Sequence, residues 1–145
     1  MSHHDTLGPQ VLLRSEPAGI IEIAIPGNWD GPPLHHHDFD EAFYVLEGEL
    51  TFQLGDELAT AGPGSLTWAP RGSVHTFANL TDAPARYLLI CTPGGFERMF
   101  VRIAAKRAGK EPDEDAQRPY PGTTMVGPTV FERLGRRKAI DYGGA

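Results

Sequence analysis

The sequence predicts an all-β domain: an antiparallel sandwich or barrel with a short helical extension at its C-terminal end. Three observations lead there. Gly (17) and Pro (13) are abundant among the 145 residues, so tight turns are frequent. Between those turns lie short runs rich in β-branched and aromatic residues, the pattern of strands. After residue 92 the apolar spacing changes to a helical one. The length suits one domain with a real core.

The elements follow in order. Residues 1–10 are expected to be a flexible N-terminus, with His3 and His4 in it. Runs 11–14 and 20–25 flank Ser15-Glu16-Pro17-Ala18-Gly19 and suggest a hairpin. The Pro- and Gly-rich stretch 26–33 is a loop leading into His35. Strand-like runs then cover 42–47, 49–54, 58–60, 66–68, 74–78 and 86–91, each stopped by turn residues. The barrel is placed at 11–92 and the helical extension with its tail at 93–145. In that extension Phe96, Met99, Phe100, Ile103 and Ala104 recur at helical spacing, so 96–108 reads as an amphipathic helix. Its stripe packs on the barrel or forms a dimer contact. Residues 110–121, charged and Pro-bearing, are expected to be a mobile surface loop. A second short helix is expected at 129–138, with Arg133, Arg136, Arg137 and Lys138 as a solvated face.

Charge and composition exclude several functions. A net charge of −6 leaves no basic face for nucleic acid. The N-terminal residues lack a secretory pattern, and no apolar run approaches membrane-spanning length. The single Cys91 allows no internal disulfide, and a cytoplasmic location is the default expectation.

The chemistry concentrates in His35-His36-His37-Asp38-Phe39-Asp40-Glu41. On an extended strand alternate residues share a face, so His35 and His37 point together and His36 points away. Two inward imidazoles need partners for their nitrogens, and a divalent metal supplies one to both. Glu41 returns after a short turn with an anionic oxygen. Downstream, Pro70 and Gly72 turn the chain just before His75, which a following strand brings in beside the others. Three imidazoles and one carboxylate, with no thiolate, suit one divalent transition metal: Fe, Mn, Ni, Co, Cu or Zn. Four protein ligands leave positions open on a six-coordinate ion, which permits catalysis. The alternative is a hydrogen-bonded polar cluster without metal.

These residues resemble the cupin superfamily. Its first motif is Gly, five residues, His-x-His, three or four residues, Glu, six residues, Gly; His35, His37, Glu41 and Gly48 fit it. Its second is Gly, five residues, Pro-x-Gly, two residues, His, three residues, Asn; Gly64, Pro70, Gly72, His75 and Asn79 fit it in full. The departure is the opening Gly of the first motif, where Trp29 stands and Gly31 is the nearest candidate. The resemblance implies a double-stranded β-helix, or jelly roll, with His35, His37, Glu41 and His75 as metal ligands. Gly94-Gly95-Phe96-Glu97-Arg98 is more loosely similar to extensions of quercetin-dioxygenase-like cupins. On that analogy the protein is an oxidoreductase, a metal-dependent dioxygenase acting on a small enolisable or phenolic substrate. Glu41 is then both ligand and catalytic base.

Phe39, Phe43, Val45, Phe52, Leu54, Leu66, Trp68, Phe77, Leu88 and Ile90 are candidates for inward positions. Of these Phe39, Phe43, Trp68 and Phe77 are expected at a substrate pocket, with Arg71 at its mouth to meet an anionic group. No second His or unpaired carboxylate stands out in the strands, which counts against epimerases needing a His–Asp pair. The other functional class left open is a non-oxidative isomerase, cyclase or lyase, or a small-molecule-binding protein. A homodimer is expected, because small cupins resemble proteins that pair edge strands. Residues 11–25 or the Phe96 helix are candidates for its contact.

Overall fold

The computed structural model describes residues 8–136. The strands are β1 Gly8–Arg14, β2 Gly19–Ile25, β3 Trp29–Asp30, β4 His35–His37, β5 Asp40–Glu47, β6 Leu50–Leu54, β7 Glu57–Ala61, β8 Leu66–Ala69, β9 His75–Asn79, β10 Ala85–Thr92 and β11 Thr123–Met125. Two α-helices, α1 Glu97–Arg107 and α2 Val130–Arg133, and one 3-10 turn at Asp115–Gln117 complete the set. Neighbouring strands pair antiparallel throughout the described residues. One sheet runs β1-β2-β10-β5-β8; the other runs β11-β4-β9-β6-β7, with β3 added on β9. The expected all-β double-stranded β-helix is the observed fold.

The two sheets enclose an aromatic and aliphatic core. Ile21, Ile23 and Ile25 of β2 face Phe43 and Val45 of β5, Phe52 of β6 and Phe77 of β9. Phe43, Phe52 and Phe77 lie with ring centroids 5.0–5.5 Å apart, a spacing typical of favourable aromatic packing. Turns between strands take residues the backbone requires. Gly48 has φ +78, and a Cβ there would meet the Pro84 carbonyl oxygen at 2.6 Å. Asn79 is fully buried and ties the β9 end: its amide donates to the Pro26 and Ala83 carbonyls, and its oxygen accepts from Thr81.

Several expectations change. β1 begins at Gly8, so Gly8–Gln10 belong to the sheet, paired with Glu22–Ala24, and not to a loose terminus. His3 and His4 lie outside the described residues. Leu66, Trp68, Leu88 and Ile90, expected inside, face outward. The inward positions of β10 are Tyr87, Leu89 and Cys91. The run Tyr87-Leu88-Leu89-Ile90-Cys91 is apolar at every position, so hydrophobicity cannot fix which parity faces the core. Its unbroken register against β2, where Tyr87 meets Ile23 and Leu89 meets Ile21, sets it. On β8, Thr67 and Ala69 pair with inward Phe43 and Glu41, which turns Leu66 and Trp68 out. Leu54 ends β6 and is partly exposed.

The C-terminal segment differs most. Helix α1 matches the expected span closely, with Phe96 and Ala108 as its caps. Its apolar stripe is only half used: Phe96, Met99 and Phe100 pack on the core, while Ile103 and Ala104 are exposed. Residues 110–121 are a strap held by arginines, where a mobile loop was expected. Arg14 makes a two-pronged bond to Asp113 at 2.6 and 2.7 Å. Arg98 donates to the Pro119 carbonyl and to Asp115. Arg102 donates to the Ala116 and Arg118 carbonyls at 2.5 and 2.6 Å and lies 4.8 Å over the Tyr120 ring. The strap then enters the sheet as β11, beside the His35–His37 strand. Helix α2 begins with a Thr129–Glu132 capping box and buries Val130 and Phe131 against Ala78. Arg133 and Arg136 are not merely solvated: they donate to the Asp56 and Leu80 carbonyls. Arg137 and Lys138 lie outside the described residues.

Candidate metal centre

Strand β4 presents His35 and His37 to the barrel interior and leaves His36 partly exposed, the alternation expected of three residues in a strand. A two-residue bend returns the chain as β5, whose inward residues begin with Glu41. The second motif closes on the first through its turn. The Gly72 amide donates to the His37 carbonyl, and the Arg71 amide donates to Asp40. That turn delivers His75 at the start of β9, directly opposite His35. Gly31 makes a close approach of its own: a Cβ there would collide with the Phe77 carbonyl oxygen. It fills the close-packing role left open by Trp29.

The four side chains are buried, and one nitrogen or oxygen from each lies within 4.8 Å of every other. All three imidazoles are oriented in the same way. Nδ1 of His35 lies 2.7 Å from the Pro33 carbonyl, Nδ1 of His37 3.1 Å from that of Phe39, and Nδ1 of His75 2.9 Å from that of Ser73. A carbonyl oxygen only accepts, so each Nδ1 carries a hydrogen and each Nε2 is directed at the centre. Backbone oxygens thus fix the tautomer and ring angle of each candidate ligand. Phe39 adds a wall: its ring stacks on His37 at 3.7 Å and 7°, with Phe96 behind it at 4.7 Å.

Charge balance indicates what this arrangement suits. Nε2 of His37 and Nε2 of His75 both lie 2.9 Å from the same Glu41 oxygen. With Nδ1 already protonated, satisfying both contacts by hydrogen bonds requires two further protons in the buried site. A divalent cation provides the same two positive charges and meets the Nε2 lone pairs directly. Burial works against ionised Glu41, but the hydrogen bonds from His37 and His75 outweigh it and leave the carboxyl below its ordinary range. Burial holds His35 below the usual imidazole value. Burial also opposes protonation of His75, but its bonds to Glu41 and the Ser73 carbonyl leave it raised. The donor set of three nitrogens and one oxygen can hold a metal ion of the intermediate type.

The centre forms the floor of a cavity of about 510 Å³. His35 and Glu41 reach into it, and Phe43, Phe77, Tyr87 and Trp29 form walls. Burial, with the nearby Glu41 charge, raises the Tyr87 hydroxyl well above its ordinary value, so it stays protonated. Of the expected pocket residues, Phe43 and Phe77 line the cavity. Phe39 does not; it is wholly buried behind His37 and positions that ring. Trp68 is 48% exposed on the outer face of β8. Arg71 points to solvent and pairs with Asp38 at 3.6 Å, so it does not stand at the mouth. Trp29, Tyr87 and the entire roof were missed. Trp29 stands where the motif departs from its pattern, the one signal that could have marked it.

The architecture and floor together define a double-stranded β-helix able to hold a metal at its centre. Residues 21–91 match the Cupin domain family. The chain is similar to TT1209 of Thermus thermophilus, at 28% identity and TM-score 0.55, over 61% of this chain and 85% of that one. KdgF of a Halomonas species aligns at 18% identity and TM-score 0.56, over 61% and 80%. The DMSP lyase DddQ of Ruegeria pomeroyi aligns at 23% and 0.53, over 61% of this chain and 48% of that one. No relative is found among curated proteins. The matched domain and the shared fold support the cupin superfamily. Among the described residues no helix is long and apolar enough to cross a membrane.

Proposed function

We propose that this protein is a metal-dependent dioxygenase acting on a small enolisable or phenolic compound, with His35, His37, Glu41 and His75 as the metal ligands. The observation that carries this reading is the convergence of three backbone-oriented Nε2 atoms and one carboxylate at the floor of an apolar cavity. When bound, a divalent transition metal would supply Lewis acidity toward a substrate hydroxyl and a route to dioxygen chemistry. The chain's own residues do the rest. Glu41, held ionised, is placed to accept the proton of an enol or phenol that arrives over the floor. Phe43, Phe77 and Trp29 exclude water and present flat surfaces to a planar body.

A second reading is a non-oxidative isomerase, cyclase or lyase, or a binding protein. Tyr87 favours it, as a further proton-bearing group in the cavity wall. The DMSP lyase DddQ shares the fold, which leaves that chemistry open to it. Metal analysis followed by oxygen uptake separates the two. The first reading expects iron, manganese, nickel, cobalt or copper, and oxygen consumption with at least one of a flavonol, a catechol or a β-diketone. Stoichiometric zinc, or no uptake across the panel by metal-loaded protein, overturns it in favour of the second.

The proposal includes a homodimer. Trp68, Ala42, Ile90 and Ile20 form one cross-strand row on the outer face of the first sheet, and Leu66, Tyr44 and Leu88 form the next. Leu66 is 60% exposed there, and an apolar face spanning four strands suits a second copy.

A further inference from the structure

We propose that the ligand of this cavity has an uncharged, apolar body, gripped by a roof that the C-terminal segment builds, and that polarity is confined to its metal-facing end. This rests on the metal reading of the floor for the head of the ligand only. The charged and imidazole groups of the cavity are segregated, and the walls and roof add only the neutral side chains of Trp29, Tyr87, Tyr120 and Thr123 as polar groups. Among the described residues Glu41 is the one charged side chain lining it, and it sits with His35 at the floor. No lysine or arginine of the described residues lines it. The roof comes from residues beyond the matched 21–91 domain: Phe96, Met99 and Phe100 of α1, then Tyr120, Pro121 and Met125.

The segment is rich in arginine, yet neither Arg98 nor Arg102 of α1 lines the cavity. Arg98 is spent on Pro119 and Asp115, and Arg102 on the Ala116 and Arg118 carbonyls. They hold the strap that carries Tyr120, and β11 continues that strap beside the ligand strand. A carboxylate or phosphate in the ligand's body would therefore be buried without a cation, and a polyol would meet only the few scattered hydroxyls of Tyr87, Tyr120 and Thr123, at a large desolvation cost. An apolar body gains from burial with each added carbon until the space is filled.

Trp29 lines the cavity and Trp68 lies outside it, so Trp68→Phe leaves a single tryptophan reporter. Its fluorescence is titrated in metal-loaded protein with β-diketones whose alkyl tail grows from ethyl to hexyl. The same diones with the tail ended by a carboxylate or a sugar-like polyol are the comparison. Metal-free protein is titrated in parallel with the same diones and with 1-alkanols of matching length. The expected result is affinity rising up to about fourfold per methylene in both forms, with the carboxylate and polyol tails at least about tenfold weaker. A flat length series, or charged tails binding as well as neutral ones, overturns the proposal. A slope preserved in both forms, with no gain from the dione head on metal loading, supports the apolar body while removing the metal reading. Met125→Lys gives an independent check. This side chain is 54% exposed at the roof edge, so the substitution is tolerated, and it should reverse the preference toward the carboxylate tail. An unchanged preference counts against the roof.

Discussion

The strands of residues 21–91 and the segment after residue 92 meet at one cavity, but different forces hold them. The barrel is held by apolar burial and a continuous antiparallel ladder, and it places four polar side chains at its floor. The strap 110–121 buries little, with Ala116 its fully buried residue, and is held by arginines reaching from β1 and α1. The floor is therefore rigid by packing, and the roof is rigid by charge and by hydrogen bonds to backbone carbonyls. Floor variants should change metal binding; roof variants should change what the cavity accepts and leave the metal alone.

The largest effect is expected at the floor. His75→Ala or His37→Ala should lower metal affinity by more than about 100-fold, beyond the usual cost of losing an outer partner, while His36→Ala leaves it unchanged. Elemental analysis after reconstitution reads both. Phe39→Ala removes a fully buried ring stacked on His37 and should cost about 3–5 kcal/mol in urea unfolding, with weaker metal binding in the folded fraction. Retained metal affinity in that variant would show that the ring only fills space.

Roof effects are smaller. Arg102→Ala strands two backbone carbonyls and should raise hydrogen exchange across 112–121, with metal content unchanged. The Arg14 clip gives a pH test. Its hydrogen bond to Asp113 holds that carboxyl down at about 2. A depressed folded value means the clip contributes fully above the ordinary carboxylate range, near about 4, and is lost as pH falls toward about 2. Exchange of the strap should rise in that window, and Arg14→Ala should abolish the step. The smallest effect on the site is expected from Trp68→Lys, which should shift a dimer to monomer in sedimentation and leave metal stoichiometry intact.

The floor was legible in the sequence because its information is local. Alternation in a three-residue strand separates His36 from His35 and His37, and a Pro–Gly turn precedes His75. The roof was not legible. Its partners, such as Arg14 and Asp113, lie far apart in sequence, and a charged Pro-bearing stretch has the composition of a loose loop. β10 failed for another reason: both of its faces are apolar, so the pattern holds no parity signal and pairing with β2 decides. Trp68 was expected inward as an aromatic of a short strand and Arg71 at the pocket mouth, yet neither residue type nor chain position settles which face a side chain takes. Trp68 lies outward on β8, and Arg71 pairs with Asp38.

The central claim is that three oriented imidazoles and Glu41 form a metal centre. It is tested most directly by stripping the protein, reconstituting it with each candidate divalent ion, and measuring bound metal per chain alongside the His75→Ala variant. The account predicts one tightly bound ion in the parent and none in the variant. Parent protein that stays metal-free with all four side chains intact would contradict it.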